Sequence, residues 1–388
     1  MITSVFHPPA GHCEANPCQP TMFAVNIFLV LCVANLPVST LALPFEQKGF
    51  MEFDAEAERD GLLMRDVEYG STMEELLPVE LTCPLACTCT NRVVQCSDLN
   101  LHYVPMEIPH DTKLLDLQNN VISELGENDF MGLSNLDTLV LVNNHISRIH
   151  PRAFLPLLQM QKLYISHNML TAVPKNLPPS LLELRINDNH IKRVPQGAFA
   201  GLDKINSIEM GQNPIQSSSF EHGAFHGLTL NYLRISGAKL TAIPKNLPES
   251  LHELHLDHNL IKAIEVHDLS HCSHLVRLGL GHNRIRTIEH GSLAYLYNLR
   301  ELHLNNNNLV EVPTGLAYMS HLQVVYLHGN NISKIEANDF CSDTSDVARA
   351  SYSSISLFSN PVKYWEVDPK AFRCVNNAVG VQFGNARK

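Results

Sequence analysis

Residues 251–261 read LHELHLDHNLI, residues 275–285 read LVRLGLGHNRI and residues 136–146 read LDTLVLVNNHI. All three fit L-x-x-L-x-L-x-x-N-x-L with Ile at the last position, and the pattern recurs across residues 112–362. Its asparagines are Asn120, Asn144, Asn168, Asn189, Asn213, Asn259, Asn283, Asn307, Asn330 and Asn360, with Ala238 in one place, so the steps are 24, 24, 21, 24, 25, 21, 24, 24, 23 and 30 residues. A longer period lies above this one. The stretches beginning at Leu101, Leu170, Leu240 and Leu309 start 69, 70 and 69 residues apart, so three coils form a duplicated unit.

A fixed period of this length is the signature of a leucine-rich-repeat solenoid. Apolar residues at alternate positions of a short strand share one face, and the Asn amide can both donate and accept where the chain leaves the strand. No coil can bury its own leucines, so neighbours must stack. Coils of 21 to 25 residues leave little room for an outer helix, and Pro105, Pro174, Pro195, Pro244 and Pro313 follow the motif. The expected fold is an α/β-type leucine-rich-repeat solenoid, curved, with a parallel β-sheet on the concave face, short turns and 3-10 segments on the convex face, and disulfide caps at both ends.

The charge of −11 is uneven, with twelve acids and three bases in residues 1–82 and near balance beyond. Nothing in the array suggests a nucleic-acid surface. The hydrophobic run from Met22 to Ala42 is too short and too Pro-interrupted to span a bilayer and ends in small residues, as a secretory signal does. Residues 1–42 therefore read as a leader, either an unusually long one or one whose true start is Met22. Residues 43–65 read as a propeptide and 66–82 as an acidic disordered linker. A cysteine cap (83–111), the repeats (112–340) and a terminal extended repeat with its cap (341–388) follow. No later segment is apolar enough to span a membrane and no lipid-anchor signal is present, so the expectation is a secreted product.

Three of the ten cysteines lie in the leader. Cys83, Cys87, Cys89 and Cys96 form a C-x3-C-x-C-x6-C cluster ahead of the first coil. An exposed leucine layer must be covered, and an extracellular chain can staple a cap over it. Three pairings are open, and a zinc site is the competing reading. Cys341 and Cys374 bracket the longest step, and closing that loop restricts the unfolded chain by roughly 3–4 kcal/mol in the entropic model. Cys272 is left over, either as a buried thiol or as half of an intermolecular bridge.

Between the apolar strand positions lie residues that face the open side. In register they give Glu183, Arg185, Glu209, Tyr232, Arg234, Arg277 and Glu301, an exposed strip of alternating charge with Tyr among it, suited to a polar, charge-bearing partner such as a collagen helix. Two solenoids could also pair through this face. His258 and His282 hold one position on adjacent coils beside Asp257, and His255 and His303 share a face. These read as surface histidines ahead of a zinc site. No metal or cofactor is assigned, and no nucleophile with an orienting base, phosphate loop or H-E-x-x-H points to an enzyme. The sole N-x-S/T sequon is Asn331-Ile332-Ser333, an expected N-glycan site.

The paired caps, 24-residue coils, long last repeat and C-x3-C-x-C-x6-C spacing, with LPFEQKGF at Leu43, VVQCSDL at Val93, LLDLQNN at Leu114 and NPVKYWEV at Asn360, resemble the class I small leucine-rich proteoglycans from residue 43 onward. That resemblance implies bridges Cys83 to Cys89, Cys87 to Cys96 and Cys341 to Cys374, an extended "ear" repeat, and propeptide cleavage between Arg65 and Asp66. It also implies an extracellular-matrix protein that binds fibrillar collagen, growth factors such as transforming growth factor beta, glycosaminoglycan, and innate receptors. A soluble ligand of such receptors is the alternative role. One departure stands out: family members with glycosaminoglycan chains carry them on Ser-Gly sites in the acidic linker. Here Ser71, between Gly70 and Thr72, is the only serine in residues 43–82, and the sole Ser-Gly is Ser236-Gly237, expected in a strand. The core protein is expected to lack such chains.

Overall fold

The computed structural model describes residues 83–343 and 350–384. The stretches read as leader, propeptide with its Arg65–Asp66 bond and linker lie outside the described residues, as do residues 344–349 and 385–388. What is described is a curved parallel-strand solenoid of about 12 turns.

One sheet of 14 strands runs its length. Thr88–Thr90 pairs antiparallel with Val93–Gln95, and every later neighbour is parallel, from Leu114–Asp116 to Val381–Gln382. The register is strict. Leu139, Leu163, Leu184, Ile208, Leu233, Leu254, Leu278 and Leu302 stand side by side, and each is fully buried. Because side chains alternate across a strand, this row fixes the residues before and after it on the concave side.

The ladder asparagines bind each coil to the one before. Asn283 Nδ2 donates to Leu256 O of the previous coil at 3.0 Å and to Leu280 O of its own at 3.1 Å, while its Oδ1 accepts the Ile261 N–H at 3.0 Å. Asn144 repeats this with Leu117 O, Leu141 O and the Ile122 N–H. At Ala238 no amide is present to receive the Ile215 N–H, which instead donates to Asn213 O at 2.8 Å. The break in the ladder leaves that donor satisfied.

The residue before each ladder position has left-handed backbone: φ is 55° at Asn143, 49° at Asp188, 56° at His258, 53° at His282 and 68° at Gly329. Short polar side chains and Gly tolerate that region best, which accounts for the residue types in this column. On the convex side the chain makes turns, the 3-10 segments Ser217–Ser219 and Leu316–Tyr318, and two short parallel pairs. Phe130 stacks on Phe154 and Phe199 on Phe225 beneath them, at 6.1 and 6.0 Å.

Disulfides join Cys83 to Cys89, Cys87 to Cys96 and Cys341 to Cys374. At the far end Tyr352 is fully buried, its hydroxyl donating to Leu316 O at 3.0 Å, and Phe340 meets it edge-on. Arg373 donates to Ala337 O and Cys341 O, tying the closing segment back to the array. Cys272 is a buried free thiol whose pKa burial, with a smaller push from Glu249, raises to about 11.

Asn283→Ala would orphan the Ile261 N–H inside the core. At about 1–3 kcal/mol per buried unsatisfied group, urea unfolding should show a loss of a few kcal/mol, concentrated in the coils on either side because the array is stabilised by nearest-neighbour contacts.

Candidate binding site on the concave face

The strip expected from the sequence lies in register on the concave face, and strand pairing sets who meets whom. Glu183 and Arg185 belong to one strand, two residues apart, so they share a face. The Arg185 guanidinium lies 2.5 Å from Glu183 Oε1 and 3.5 Å from Glu209 Oε1, which stands directly opposite it on the next strand. It also covers the Tyr164 ring at 4.7 Å, and the Tyr164 hydroxyl donates to Glu183 Oε2 at 3.1 Å. Arg234 approaches Glu209 Oε2 from the other side at 3.7 Å. Asn187, which the sequence reading did not single out, donates to the same carboxylate at 3.0 Å.

A second cluster centres on Arg277. Its Nε donates to Glu301 Oε2 at 2.9 Å and its Nη1 to Glu253 Oε2 at 3.3 Å, so one guanidinium bridges strands on both sides. Each carboxylate also meets a buried imidazole two residues along its own strand: Glu253 with His255 at 3.2 Å and Glu301 with His303 at 2.7 Å. Tyr232 joins the clusters, its ring 5.1 Å from that of His255. The seven residues thus form one continuous strip.

One expectation needs correction. The strip is half-buried rather than exposed: the Glu209 side chain is 14% accessible and that of Glu301 22%. Neighbouring coils stack closely enough that each charge is screened from water by the next. Burial opposes ionisation of Glu301, yet hydrogen bonding and charge from His303, with Arg277 behind them, hold its carboxyl below the usual range. Glu253 is also held low, first by its hydrogen bond with His255. Burial, then the Glu209 charge, pushes the Tyr232 phenol up to about 12.

The histidines divide by position. His258 and His282 stack at 4.2 Å on the rim, in the left-handed column, and Asn306 Nδ2 lies 3.1 Å from His282 Nε2. Among the described residues no three His, Cys, Asp or Glu side chains converge as a metal would require. Towards the C-terminal end His303 lies against Tyr326 at 4.3 Å and His328 stacks on Phe358 at 4.1 Å, and the two pairs meet edge-on between Tyr326 and His328.

The leucine-rich-repeat model matches residues 111–174, 179–240, 249–309 and 297–342, and the leucine-rich-repeat N-terminal model matches 82–109. Biglycan of Canis lupus familiaris is 58% identical over 92% of this chain and 98% of its own, and biglycan of Homo sapiens 59% over 92% and 98%. This chain belongs to the biglycan family of small leucine-rich proteoglycans. Biglycan of Xenopus laevis is 54% identical over 94% of this chain and 100% of its own. A solved chain from an octameric complex of Latrophilin 3, Unc5D and FLRT2 shares the fold, with a TM-score of 0.57 at 22% identity over 75% of this chain and 100% of that one.

In this biglycan-family chain His328 provides a pH test. Burial first, then the charges of His282 and His303, lowers its pKa to about 4. An unfolded His titrates near ~6.5, so between those values the unfolded chain binds the extra proton and acid favours unfolding. Thermal stability should fall as pH drops from ~6.5 towards 4, and the fall should be shallower in His328→Gln.

Proposed function

We propose that this chain is a secreted extracellular-matrix core protein that binds fibrillar collagen through the concave strip from Glu183 to Glu301, and growth factors such as transforming growth factor beta through its solenoid surface. Binding rather than catalysis is the role the family membership favours. The observation that carries the collagen reading is the in-sheet pairing of Glu183, Arg185, Glu209, Arg234, Arg277 and Glu301. Charges held in fixed positions by their neighbours need little ordering when a partner arrives, and lowering that cost raises affinity. Alternating carboxylates and guanidinium groups, about 4.8 Å apart from strand to strand, would meet complementary charges along an elongated partner. Tyr164, Tyr232 and Tyr326 offer ring faces among them.

Arg234 is the cleanest probe because its pairing to Glu209 is loose, at 3.7 Å. Arg234→Ala should leave thermal unfolding within about 0.5 kcal/mol of wild type, while collagen binding weakens by the order of ten-fold expected when a partner-desolvated charge is lost. Arg277→Ala should weaken binding further and also cost stability, since it takes the bridging guanidinium from two half-buried carboxylates and leaves each with its imidazole alone. Binding should fall as salt rises. Pull-down on fibrillar collagen across a salt series reads all three. Unchanged affinity in folded Arg234→Ala and Arg277→Ala would remove the concave face from the interface.

We further propose one N-glycan, at Asn331. Asn331 and Ser333 are both exposed beside the buried Ile332, where the chain turns out of the sheet. Treatment of the secreted protein with peptide N-glycosidase F should give a single mobility shift, absent in Asn331→Gln.

A further inference from the structure

In the coil that carries the Asn331 sequon, the buried Ile332 and Ile335 are separated by two exposed residues, Ser333 and Lys334. The following coil inserts two more. Its buried Val362 and Val367 are separated by Lys363, Tyr364, Trp365 and Glu366, all exposed, because a 3-10 turn over Tyr364–Glu366 pushes the chain outward there. The turn lifts the sole tryptophan of the chain into solvent. Trp365 is 63% accessible and Tyr364 55%, their rings edge to face 5.0 Å apart. Large rings exposed side by side mark a surface that something covers.

The sequon lies next to this corner. Val362 N donates to Ile332 O and Ile332 N to Asn360 Oδ1, each at 3.0 Å, so Asn331-Ile332-Ser333 and Pro361-Val362-Lys363 run side by side on adjacent coils. With Ile332 and Val362 both turned into the core, Asn331, Ser333, Pro361 and Lys363 share the outer side. Lys363 joins that column to the corner: its Nζ lies 5.8 Å from the centre of the Trp365 ring and donates to Glu366 Oε1 at 3.1 Å. Asn331 stands one coil back from Lys363 and two positions earlier, a separation of roughly 8 Å at 3.3 Å per extended residue and 4.8 Å between neighbouring chains.

We propose that the Tyr364–Trp365 corner is the docking surface for the oligosaccharide on Asn331, whose first N-acetylglucosamine units lie across the Trp365 ring. This rests on the N-glycan proposed above and gives it a place on the protein. The sequon fixes where the oligosaccharide begins, on the side where the rings stand. A pyranose presents one face of C–H groups that gains by leaving water, and an aromatic ring offers it a flat apolar surface with a negative face. Lys363 and Glu366 flank the ring with N–H donors and a carboxylate acceptor for the hydroxyl and acetamido groups at the sugar's rim. Attachment at Asn331 makes the contact intramolecular, so weak stacking is enough to keep the ring covered. The glycan closes the apolar corner that the longer last coil leaves open.

Trp365 is its own reporter, since the chain has no other tryptophan. Acrylamide quenching of its fluorescence is measured on the secreted protein, on the same protein treated while folded with peptide N-glycosidase F, and on secreted Ser333→Ala, which lacks the sequon but keeps Asn331 uncharged. Removing the glycan should raise the quenching constant roughly two-fold, because a stacked sugar covers one of the two faces of the ring, and should shift the emission to longer wavelength. Ser333→Ala should match the deglycosylated protein, and both should keep the wild-type circular dichroism. Gel mobility of the same samples separates the two readings. No mobility shift on deglycosylation would overturn the glycan and the contact together, whereas a shift with unchanged quenching would overturn the contact alone. A rise in only one of the two unglycosylated forms would also overturn it, since the charge left by the enzyme or the Ser333 substitution would then be the cause.

Discussion

The amide of the ladder asparagine is the contact on which this solenoid rests. Each coil leaves its strand at a point where backbone N–H and C=O groups would be trapped among leucines, and a single side chain meets both needs across two coils. Asn283 reaches Leu256 O, Leu280 O and the Ile261 N–H together. An aspartate could not donate and a leucine could do neither. The contact is also directional, so it sets the offset of each coil on the last. The leucine rows supply the bulk of the hydrophobic stabilisation, but apolar contact is non-directional and would not by itself hold a register through fourteen strands.

That register creates the concave face. Once Leu184, Ile208 and Leu233 are aligned, Arg185, Glu209 and Arg234 are brought to neighbouring sites with no further choice. Stacking also withdraws these charges from water, which is unfavourable unless each finds a partner. Hence the guanidinium of Arg277 lies between two carboxylates, and each of these carries an imidazole as well. The ladder contributes the scaffold and the strip is its consequence: change the offset by one residue and every charge would point into the leucines.

The fold was legible because its signal is repeated in every coil and its physics is local: alternation, the ladder amide, and cysteines where a leucine layer needs a lid. The strip was legible as a set of positions. Its cross-strand alternation of charge was legible too, but the sequence reading took the strip to be solvent-facing and looked only across strands. The missed signal lay along the strand. Glu183-Leu-Arg185, Glu253-Leu-His255 and Glu301-Leu-His303 each place an acid and a base two residues apart on one face, and two of these imidazoles are buried. The left-handed column was likewise available from the Asn, Asp, His and Gly that precede the ladder, yet a residue type alone does not tell a backbone requirement from a ligand. The shared position of His258 and His282 reflects the turn, in keeping with their reading as surface histidines ahead of a zinc site.

The two charged surfaces follow opposite rules, and burial explains why. On the concave side residues from successive coils crowd together, so Arg185, Arg234 and Arg277 are stable only with carboxylates beside them. On the flank past the ladder positions Lys239, Lys262, Arg284 and Arg286 remain in water, where an unpaired charge costs nothing and a paired one gains little. One repeat pattern thus produces a concave face of ordered ion pairs and a flank whose charges stay in water.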